Sequence, residues 1–215
     1  MNSLKVKICG LTNAHDALDA IELGADYLGF NFYPDSPRYL TPEKAKNLFE
    51  EIPTNIPKVG VFVNADLQKV IDLAVDLELD FLQFHGDEKP EELNPLGRPW
   101  WKAFRLKNEA DVLEIPKYDC EWILVDAYSE KAYGGTGITA HWDLVHKAKD
   151  YGKKIFLAGG LTPENIQMAV ATVQPFGVDV ASGLEEKPGV KDRQKMEEFI
   201  KKAKLINDAK EKNRF

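Results

Sequence analysis

The 215-residue sequence predicts an α/β protein, a single (β/α)8 TIM barrel with parallel strands. Short apolar runs rich in Val, Ile, Leu and Phe alternate eight times with stretches of helical periodicity, which is the pattern of a closed parallel barrel. The length lies near the lower limit for this fold, at about 200 residues. Because no change in composition divides the chain, we predict that residues 1–215 form one domain.

Eight strands and eight helices are predicted from these runs. The strands are Leu4–Cys9, Tyr27–Phe32, Val59–Val63, Phe81–Phe84, Trp101–Phe104, Trp122–Val125, Ile155–Ala158 and Val178–Ala181. The helices are Asn13–Leu23, Pro42–Glu51, Leu67–Leu77, Glu91–Leu96, Glu109–Ile115, Trp142–Tyr151, Pro163–Val173 and Lys191–Ala209. An open doubly wound sheet is the alternative, but Cys9-Gly10-Leu11-Thr12-Asn13 is not the glycine-rich dinucleotide turn that such a sheet normally carries.

Threonine marks three of the helix starts. In Thr41-Pro42-Glu43 and Thr162-Pro163-Glu164 the hydroxyl can cap backbone N–H groups, proline suits the first helical position, and the acid faces the positive end of the helix dipole. Thr12 is expected to cap the first helix similarly. The fourth and fifth helices are expected to end early, because Pro95 and Pro116 remove backbone donors.

The composition limits the classes of function. The formal net charge is −7, whereas nucleic-acid-binding proteins usually carry a basic face, so no nucleic-acid partner is expected. No signal peptide is expected, and no apolar run comes near the ~18 residues of a membrane span, so no membrane partner is expected. Cys9 and Cys120 are too few for a disulfide framework or a zinc cluster, and a reducing, cytoplasmic location is expected.

The reactive side chains of a parallel barrel lie at the C-terminal ends of its strands. The residues at these ends are Cys9, Asn31, Asn64, His85, Arg105, Asp126, Gly159-Gly160 and Ser182-Gly183. Cys9 and Asp126 can exchange protons at useful pH, and they end strands one and six, which lie well apart around the rim. Such a pair suits a reaction that needs a base on one side of a substrate and an acid on the other.

Cys9 is the candidate base. Strand alternation puts Lys7 and Cys9 on one face, toward the lumen, and Val6 and Ile8 on the other, toward the helices. A lumenal ammonium at Lys7 would help to lower the pKa of the thiol toward thiolate. The alternative for Cys9 is a small buried hydrophobic side chain, as most free cysteines are. Cys120 precedes its strand and is assigned to that second class.

Asp126 is the candidate acid. A carboxylate that closes an apolar strand can instead cap the next segment or bind a lysine. The loop that follows, with Tyr133-Gly134-Gly135-Thr136-Gly137, favours a catalytic position, because long glycine-rich connections serve as mobile lids. Ordinary flexibility is the other explanation of this loop.

A phosphate site is indicated beyond strands seven and eight. The turns Gly159-Gly160 and Ser182-Gly183 lie where many barrels hold phosphate. Glycine permits close approach of the backbone, so that N–H groups themselves can hold the phosphate oxygens. One such turn is common in proteins, but two that end adjacent strands favour the phosphate site.

Two further side chains are candidates for binding at the mouth. Arg38 lies in the proline-flanked loop after strand two and offers a guanidinium fork suited to a planar carboxylate. The alternative for Arg38 is a weak surface pair with Asp35. His85 either lines the mouth or is a hydrogen-bonded histidine at the end of its strand.

Alternation also predicts an ion pair below the site. On strand eight, Asp179 lies on one face, whereas Val180 and Ser182 share the other. Strand eight neighbours strand one when the barrel closes, which places Asp179 in the lumen beside Lys7. Because a lone buried charge is costly, we expect the two to pair. For Ser182 to meet phosphate, strand eight must end or bulge before it.

Seven segments resemble the phosphoribosylanthranilate isomerase family in order and spacing. They are Lys7–Thr12, Gly29–Arg38, Gly60–Asn64, Gln83–Gly86, Tyr133–Gly137, Ala158–Leu161 and Val180–Glu185. The resemblance runs from the first strand to the start of the last helix. The opening Lys-Ile-Cys-Gly and the Ser-Pro-Arg loop are highly specific to the family, whereas the glycine turns occur in many barrels.

The resemblance implies an Amadori rearrangement in tryptophan biosynthesis, without metal or cofactor. N-(5-phosphoribosyl)anthranilate would become 1-(o-carboxyphenylamino)-1-deoxyribulose 5-phosphate, with Asp126 as the acid that protonates the furanose ring oxygen and Cys9, as thiolate, removing the C2 proton. Arg38 would hold the anthranilate carboxylate, and the turns at Gly160 and Ser182-Gly183 would hold the phosphate. The expected partner is this small phosphorylated substrate, and the expected state is a monomer or homodimer.

The sequence departs from the family after the glycine-rich loop, where Ile138-Thr139-Ala140-His141-Trp142 replaces the frequent Phe-Asp-Trp. Two rival functions remain. A two-substrate isomerase that also takes the histidine-pathway ribonucleotide typically has aspartate as its base and a second phosphate site, and the acidic loops Asn64–Asp66 and His85–Glu88 disfavour the latter. A catalytically silent barrel that binds a partner is disfavoured by the intact acid, base and anion sites.

Overall fold

A computed structural model of the chain describes residues 3–126 and 142–212, with side chains described up to residue 205. Eight parallel strands follow one another around a closed barrel, and the eighth pairs with the first, which confirms the predicted fold class. The strands are β1 (Lys5–Cys9), β2 (Tyr27–Asn31), β3 (Lys58–Phe62), β4 (Phe81–Phe84), β5 (Trp100–Arg105), β6 (Trp122–Asp126), β7 (Lys154–Ala158) and β8 (Gly177–Val180).

Helices follow the strands. They are α1 (Ala14–Glu22), α2 (Pro42–Glu51), α3 (Leu67–Asp76), α4 (Pro90–Leu93), α5 (Glu109–Glu114), α6 (Trp142–Lys149), α7 (Ile166–Val173) and α8 (Arg193–Lys212). Short 3-10 turns at Asn94–Leu96 and Ile115–Lys117 follow α4 and α5, as the prolines there predict. Beyond β8, an antiparallel hairpin of β9 (Glu185–Lys187) and β10 (Val190–Lys191) precedes α8. Within the described residues, the chain has no helix long and apolar enough to cross a membrane.

One of the three predicted threonine caps is confirmed. The Thr41 hydroxyl accepts from Lys44 N–H at 3.3 Å at the start of α2. Thr12 does not cap α1, because the Asn13 side chain accepts from Asp16 N–H at 2.8 Å and the Thr12 hydroxyl donates to the Gly189 carbonyl instead.

The predicted start of the seventh helix was also wrong, although the Thr162 hydroxyl accepts from Glu164 N–H at 3.3 Å as expected. Helix α7 begins at Ile166, three residues after Pro163. The preceding turn is closed by Asn165, whose side chain accepts from Thr162 N–H at 2.9 Å and donates to the Gly160 carbonyl at 2.8 Å. The turn from Gly160 to Asn165 therefore belongs to the rim of the barrel.

Two separate apolar cores follow from the alternation of side chains along each strand. The outer core lies between the sheet and the helices and includes Val6, Ile8, Val178 and Val180, as predicted. The lumen is filled by a second cluster of Val59, Trp101, Ala103, Leu124, Phe156 and Ala158. The rings of Trp101 and Phe156 stack with centroids 4.4 Å apart. A packed lumen makes the barrel a rigid support for its rim.

The predicted ion pair between Lys7 and Asp179 is confirmed. The two residues are register partners on β1 and β8, and Lys7 Nζ lies 2.6 Å from Asp179 Oδ1. The Lys7 side chain is fully buried, and its ammonium also lies 5.8 Å from the centre of the Trp101 ring. Strand β8 ends at Val180 and a 3-10 turn begins at Ser182, so the alternation of β8 does not fix the direction of Ser182.

Changing Asp179 to asparagine should destabilise the fold strongly, because it leaves the buried Lys7 ammonium without its counter-ion. The expected loss in the free energy of unfolding is about 3–5 kcal/mol, measured by chemical denaturation. A matched control is Glu114→Gln, which breaks the exposed pair with Lys117 at 2.7 Å and should cost less than about 1 kcal/mol. Equal losses in the two variants would contradict a structural role for the buried pair.

Candidate active site

All the predicted site residues in the described part of the chain lie at the same end of the barrel, because every strand is parallel. Cys9, Asn31, Arg105 and Asp126 are the last residues of β1, β2, β5 and β6. His85 and Gly159 come directly after β4 and β7. The glycine-rich segment 133–137 and residues 140 and 141 lie outside the described residues.

Cys9 lies in a close group with Lys7 and Gly29. Gly29 is the register partner of Cys9 on β2, and the Lys7 ammonium, which pairs with Asp179, lies close enough to Cys9 for its charge to lower the pKa of the thiol. A Cβ atom at position 29 would lie only 2.8 Å from both Cys9 Sγ and Lys7 Nζ. The absence of a side chain at Gly29 therefore allows the thiol and the ammonium to meet.

The net effect on the Cys9 thiol is opposite to the one expected from Lys7 alone. Burial raises the pKa of Cys9 above its ordinary value, and Asp179 raises it further. Lys7 and Lys191 lower this pKa, but they do not outweigh burial and Asp179. Because burial, together with the charge of Asp179, holds the pKa of Cys9 above its ordinary value, Cys9 rests mainly as a thiol at neutral pH.

Asp126 closes β6 between two neighbours. Its register partners are Arg105 on β5 and Ala158 on β7, and it is half-buried. Two strands, β7 and β8, separate β6 from β1 around the closed sheet. Asp126 and Cys9 therefore approach the mouth from different sides, as the sequence predicts for an acid and a base.

His85 lies over the lumen and within reach of the carboxylates there. Its Nδ1 is 3.4 Å from Gln83 Nε2. Burial lowers the pKa of His85, although the charges of Asp179 and Asp126 oppose that effect, so the ring is neutral at pH 7. In the described residues, no group of three or more His, Cys, Asp or Glu is placed to hold a metal ion.

The loops after β7 and β8 pack against each other. Gly159 and Gly160 have φ angles of 96° and 65°, which favour glycine. A Cβ atom at Gly183 would collide with the Leu161 carbonyl, so the second loop approaches the first as closely as a glycine allows. Among the described residues, the N–H groups of Gly160, Ser182 and Gly183 have no acceptor. Such N–H groups suit an anion.

Arg38 is held by a carboxylate that the sequence did not predict. Its Nε and Nη2 atoms donate to the two oxygens of Glu185 at 2.7 and 2.6 Å. Asp35, the partner considered from the sequence, instead acts on Tyr33 and raises the pKa of that phenol. The aliphatic part of Arg38 crosses Gly10, where a Cβ atom would collide with Arg38 Cδ. Arg38 therefore lies directly above the end of the strand that carries Cys9.

Glu185 and Lys191, both buried, were missed by sequence reasoning. Lys191 Nζ donates to Glu185 Oε1 at 3.1 Å, to the Cys9 carbonyl at 2.7 Å and to the Ala181 carbonyl at 3.1 Å. The hairpin that carries the two residues has no periodicity to reveal them. The only signal for Glu185 was its place at the end of a segment that resembles the family.

Comparisons with known proteins agree with one another. The family model for N-(5'-phosphoribosyl)anthranilate (PRA) isomerase matches residues 6–202. The N-(5'-phosphoribosyl)anthranilate isomerase of Geobacter sulfurreducens is 49% identical over 201 residues, which cover 94% of this chain and 98% of the relative.

Solved structures lead to the same family. A phosphoribosylanthranilate isomerase in complex with reduced 1-(o-carboxyphenylamino)-1-deoxyribulose 5-phosphate has a TM-score of 0.84 and 39% identity, with 94% of this chain and 99% of that chain covered. Monomers of the dimeric enzyme from Thermotoga maritima give a TM-score of 0.83 and 40% identity, with the same coverage. The chain therefore belongs to the N-(5'-phosphoribosyl)anthranilate isomerase family.

Proposed function

We propose that this chain catalyses the Amadori rearrangement of N-(5'-phosphoribosyl)anthranilate to 1-(o-carboxyphenylamino)-1-deoxyribulose 5-phosphate in tryptophan biosynthesis. The observation that carries the proposal is the position of Cys9 and Asp126, which end β1 and β6 on one rim of the barrel. An aldose-to-ketose isomerisation moves protons without net gain or loss. It therefore needs an acid and a base on different sides of one substrate.

Asp126 acts first, as the general acid. It gives a proton to the furanose ring oxygen, the bond from that oxygen to C1 breaks, and the nitrogen lone pair forms the C1–N double bond of a Schiff base. Cys9, as thiolate, then takes the proton from C2, and the C2–H electron pair forms the enolamine. Loss of the enol proton and protonation at C1 give the ketone. The reaction thus requires Cys9 in its less populated, ionised form.

Separate anion sites on the rim hold the two ends of the substrate. The N–H groups at Gly159-Gly160 and Ser182-Gly183 bind the phosphate, as backbone donors at this position do in many barrels. Arg38 binds the anthranilate carboxylate, with donors that Glu185 does not use. Neutral His85 lies between these sites along the strand order and contacts the bound sugar.

A turnover assay tests the proposal directly. Purified chain is mixed with N-(5'-phosphoribosyl)anthranilate, and the loss of substrate fluorescence is followed. We expect a decay that is proportional to enzyme concentration and yields the ketose phosphate. Substrate that decays at the uncatalysed rate would overturn the proposal.

The compartment and assembly follow from the same chemistry. We propose a cytosolic location, because a base at Cys9 must remain a free thiol and reducing conditions keep it so. We propose a monomer or a homodimer, since every group assigned above comes from one chain. Size-exclusion chromatography with light scattering distinguishes the two states.

Changing Arg38 to methionine should chiefly raise KM, because the carboxylate that Arg38 holds is distant from the reacting carbons. The expected loss of binding is about 1.5–3 kcal/mol, the usual value of a charge-assisted fork. Steady-state kinetics and the inhibition constant of the reduced product measure it. Unchanged affinity for that carboxylate-bearing ligand would contradict the assignment.

A further inference from the structure

We propose that Glu185 is a positioning residue, which orients the Arg38 guanidinium so that its free edge receives the substrate carboxylate. The proposal rests on the assigned role of Arg38. It concerns a residue that contacts no reacting atom and acts through another side chain.

The bidentate pair between Arg38 and Glu185 occupies one edge of the guanidinium and leaves the donors on the other edge unused. Glu185 takes the donors on Nε and Nη2, which leaves the Nη1 donors and the second Nη2 donor on the adjacent edge. Two parallel bonds fix the plane of the guanidinium as well as its distance from Glu185. A second carboxylate can therefore bind end-on without displacing the first.

The rest of Arg38 is also held before any ligand arrives. The Ser36 hydroxyl accepts from Arg38 N–H at 3.1 Å and from Asn31 Nδ2 at 3.1 Å. The side chain then lies across Gly10. With backbone and stem already held, Glu185 is the group that sets the direction of the planar end. An arginine ordered in advance loses less freedom on binding.

The charges around Glu185 keep this arrangement attractive to an anion. Burial raises the pKa of Glu185, but hydrogen bonds and charges from Arg38 and Lys191 outweigh burial and hold it below its ordinary value. Glu185 is thus an ionised carboxylate that pairs with two cations, Arg38 and Lys191. The three side chains together retain a net positive charge. Arg38 therefore remains attractive to a second anion, although one is already bound.

A double-mutant cycle tests the coupling. Glu185→Gln keeps the shape of the side chain, removes its charge, and replaces one acceptor oxygen by an amide that repels the guanidinium. We expect Glu185→Gln to raise KM and the inhibition constant of the reduced product by about three- to tenfold, which is less than the loss of a charge-assisted bond itself, because the Arg38 guanidinium remains and only its orientation is lost. In an Arg38→Met background the same change should have no further effect on either quantity. Glu185→Asp, which keeps the charge with a shorter reach, should recover part of the affinity.

The outcomes separate this proposal from the proposed function. If Arg38→Met leaves the affinity for the reduced product unchanged, Arg38 does not bind the carboxylate. The positioning role of Glu185 is then overturned as well. If Arg38→Met weakens binding but Glu185→Gln does not, or if the two effects add, only the positioning role is overturned. Tighter binding in Glu185→Gln would make Glu185 a competitor of the substrate carboxylate and would also overturn it.

Two controls exclude a merely structural effect. Glu186→Gln removes an exposed carboxylate from the adjacent position of β9 and should change neither KM nor kcat. The reduced form of 1-anilino-1-deoxyribulose 5-phosphate, which differs from the reduced product in lacking the carboxylate, should bind wild type and Glu185→Gln equally. Equal weakening of both ligands would indicate a distorted site and count against the proposal.

Discussion

Replacing Cys9 with serine is expected to remove nearly all turnover and to leave the fold intact. The two side chains have similar size, but a serine hydroxyl ionises only at much higher pH than a thiol. Almost none of it is therefore present in the ionised form that can accept the C2 proton. General acid–base groups contribute about 10²–10⁴-fold to the rate, and the loss in kcat should lie in this range. Steady-state kinetics and circular dichroism of the variant measure the two expectations.

The second cysteine provides the control for this experiment. Cys120 is buried, away from the rim, and burial raises its pKa to about 11, so Cys120→Ala should keep the wild-type kcat. If Cys9→Ser kept more than about a tenth of the wild-type kcat, well outside the range for loss of a base, Cys9 would not be the base.

The pH dependence of kcat/KM also tests the assignment of Cys9 as the base. Because the pKa of Cys9 is raised, the thiolate fraction and kcat/KM should increase as the pH rises through neutral values. Asp179→Asn removes a charge that raises this pKa, so the increase should begin at lower pH. A profile that moves to higher pH in this variant would contradict the influence of Asp179 on Cys9.

Changing Asp126 to asparagine is expected to lower kcat strongly with little change in substrate affinity. The amide keeps the shape of the side chain but cannot deliver the proton that opens the furanose ring. An interaction made only in the transition state lowers kcat and kcat/KM together, by about 10²–10⁴-fold for a general acid. Single-turnover and steady-state measurements separate the two quantities.

A matched carboxylate lies at the other end of the same strand. Asp119 is exposed before β6 and accounts for the general effect of replacing an aspartate in this region, so Asp119→Asn should retain full activity. An effect of Asp126→Asn mainly on KM would make Asp126 a binding residue and leave the acid unassigned.

The sequence was sufficient where a simple geometric rule applies. Side chains alternate along a strand, and the last strand of a parallel barrel meets the first, so the pairing of Lys7 with Asp179 followed from their positions in β1 and β8. The positions of Cys9 and Asp126 on one rim followed from a further rule, that the C-terminal ends of all the strands in a parallel barrel lie at the same end. Their chemical roles stay predictions that the variants above test.

The sequence was insufficient where competing contacts decide. Thr12 and Asn13 are both good caps, and only the distant Gly189 carbonyl, which accepts from Thr12, decides between them. The fork between Arg38 and Glu185 joins loops that have no periodicity. The pKa of Cys9 depends on the balance among burial, Asp179 and Lys7. The sizes of these three effects cannot be read from the sequence.

The bonds around β1 also determine when the site can form during protein synthesis. Lys7 is separated from its carboxylate by 172 residues, and the Cys9 carbonyl is separated from the Lys191 ammonium by 182. The first strand therefore leaves the ribosome long before its partners exist, and a nascent chain that lacks β8 holds a lysine with no counter-ion for burial. Long-range contacts of this kind slow folding and delay it until synthesis is nearly complete. A truncated chain that ends before β8 would lack the support of its base, even though Cys9 itself is present.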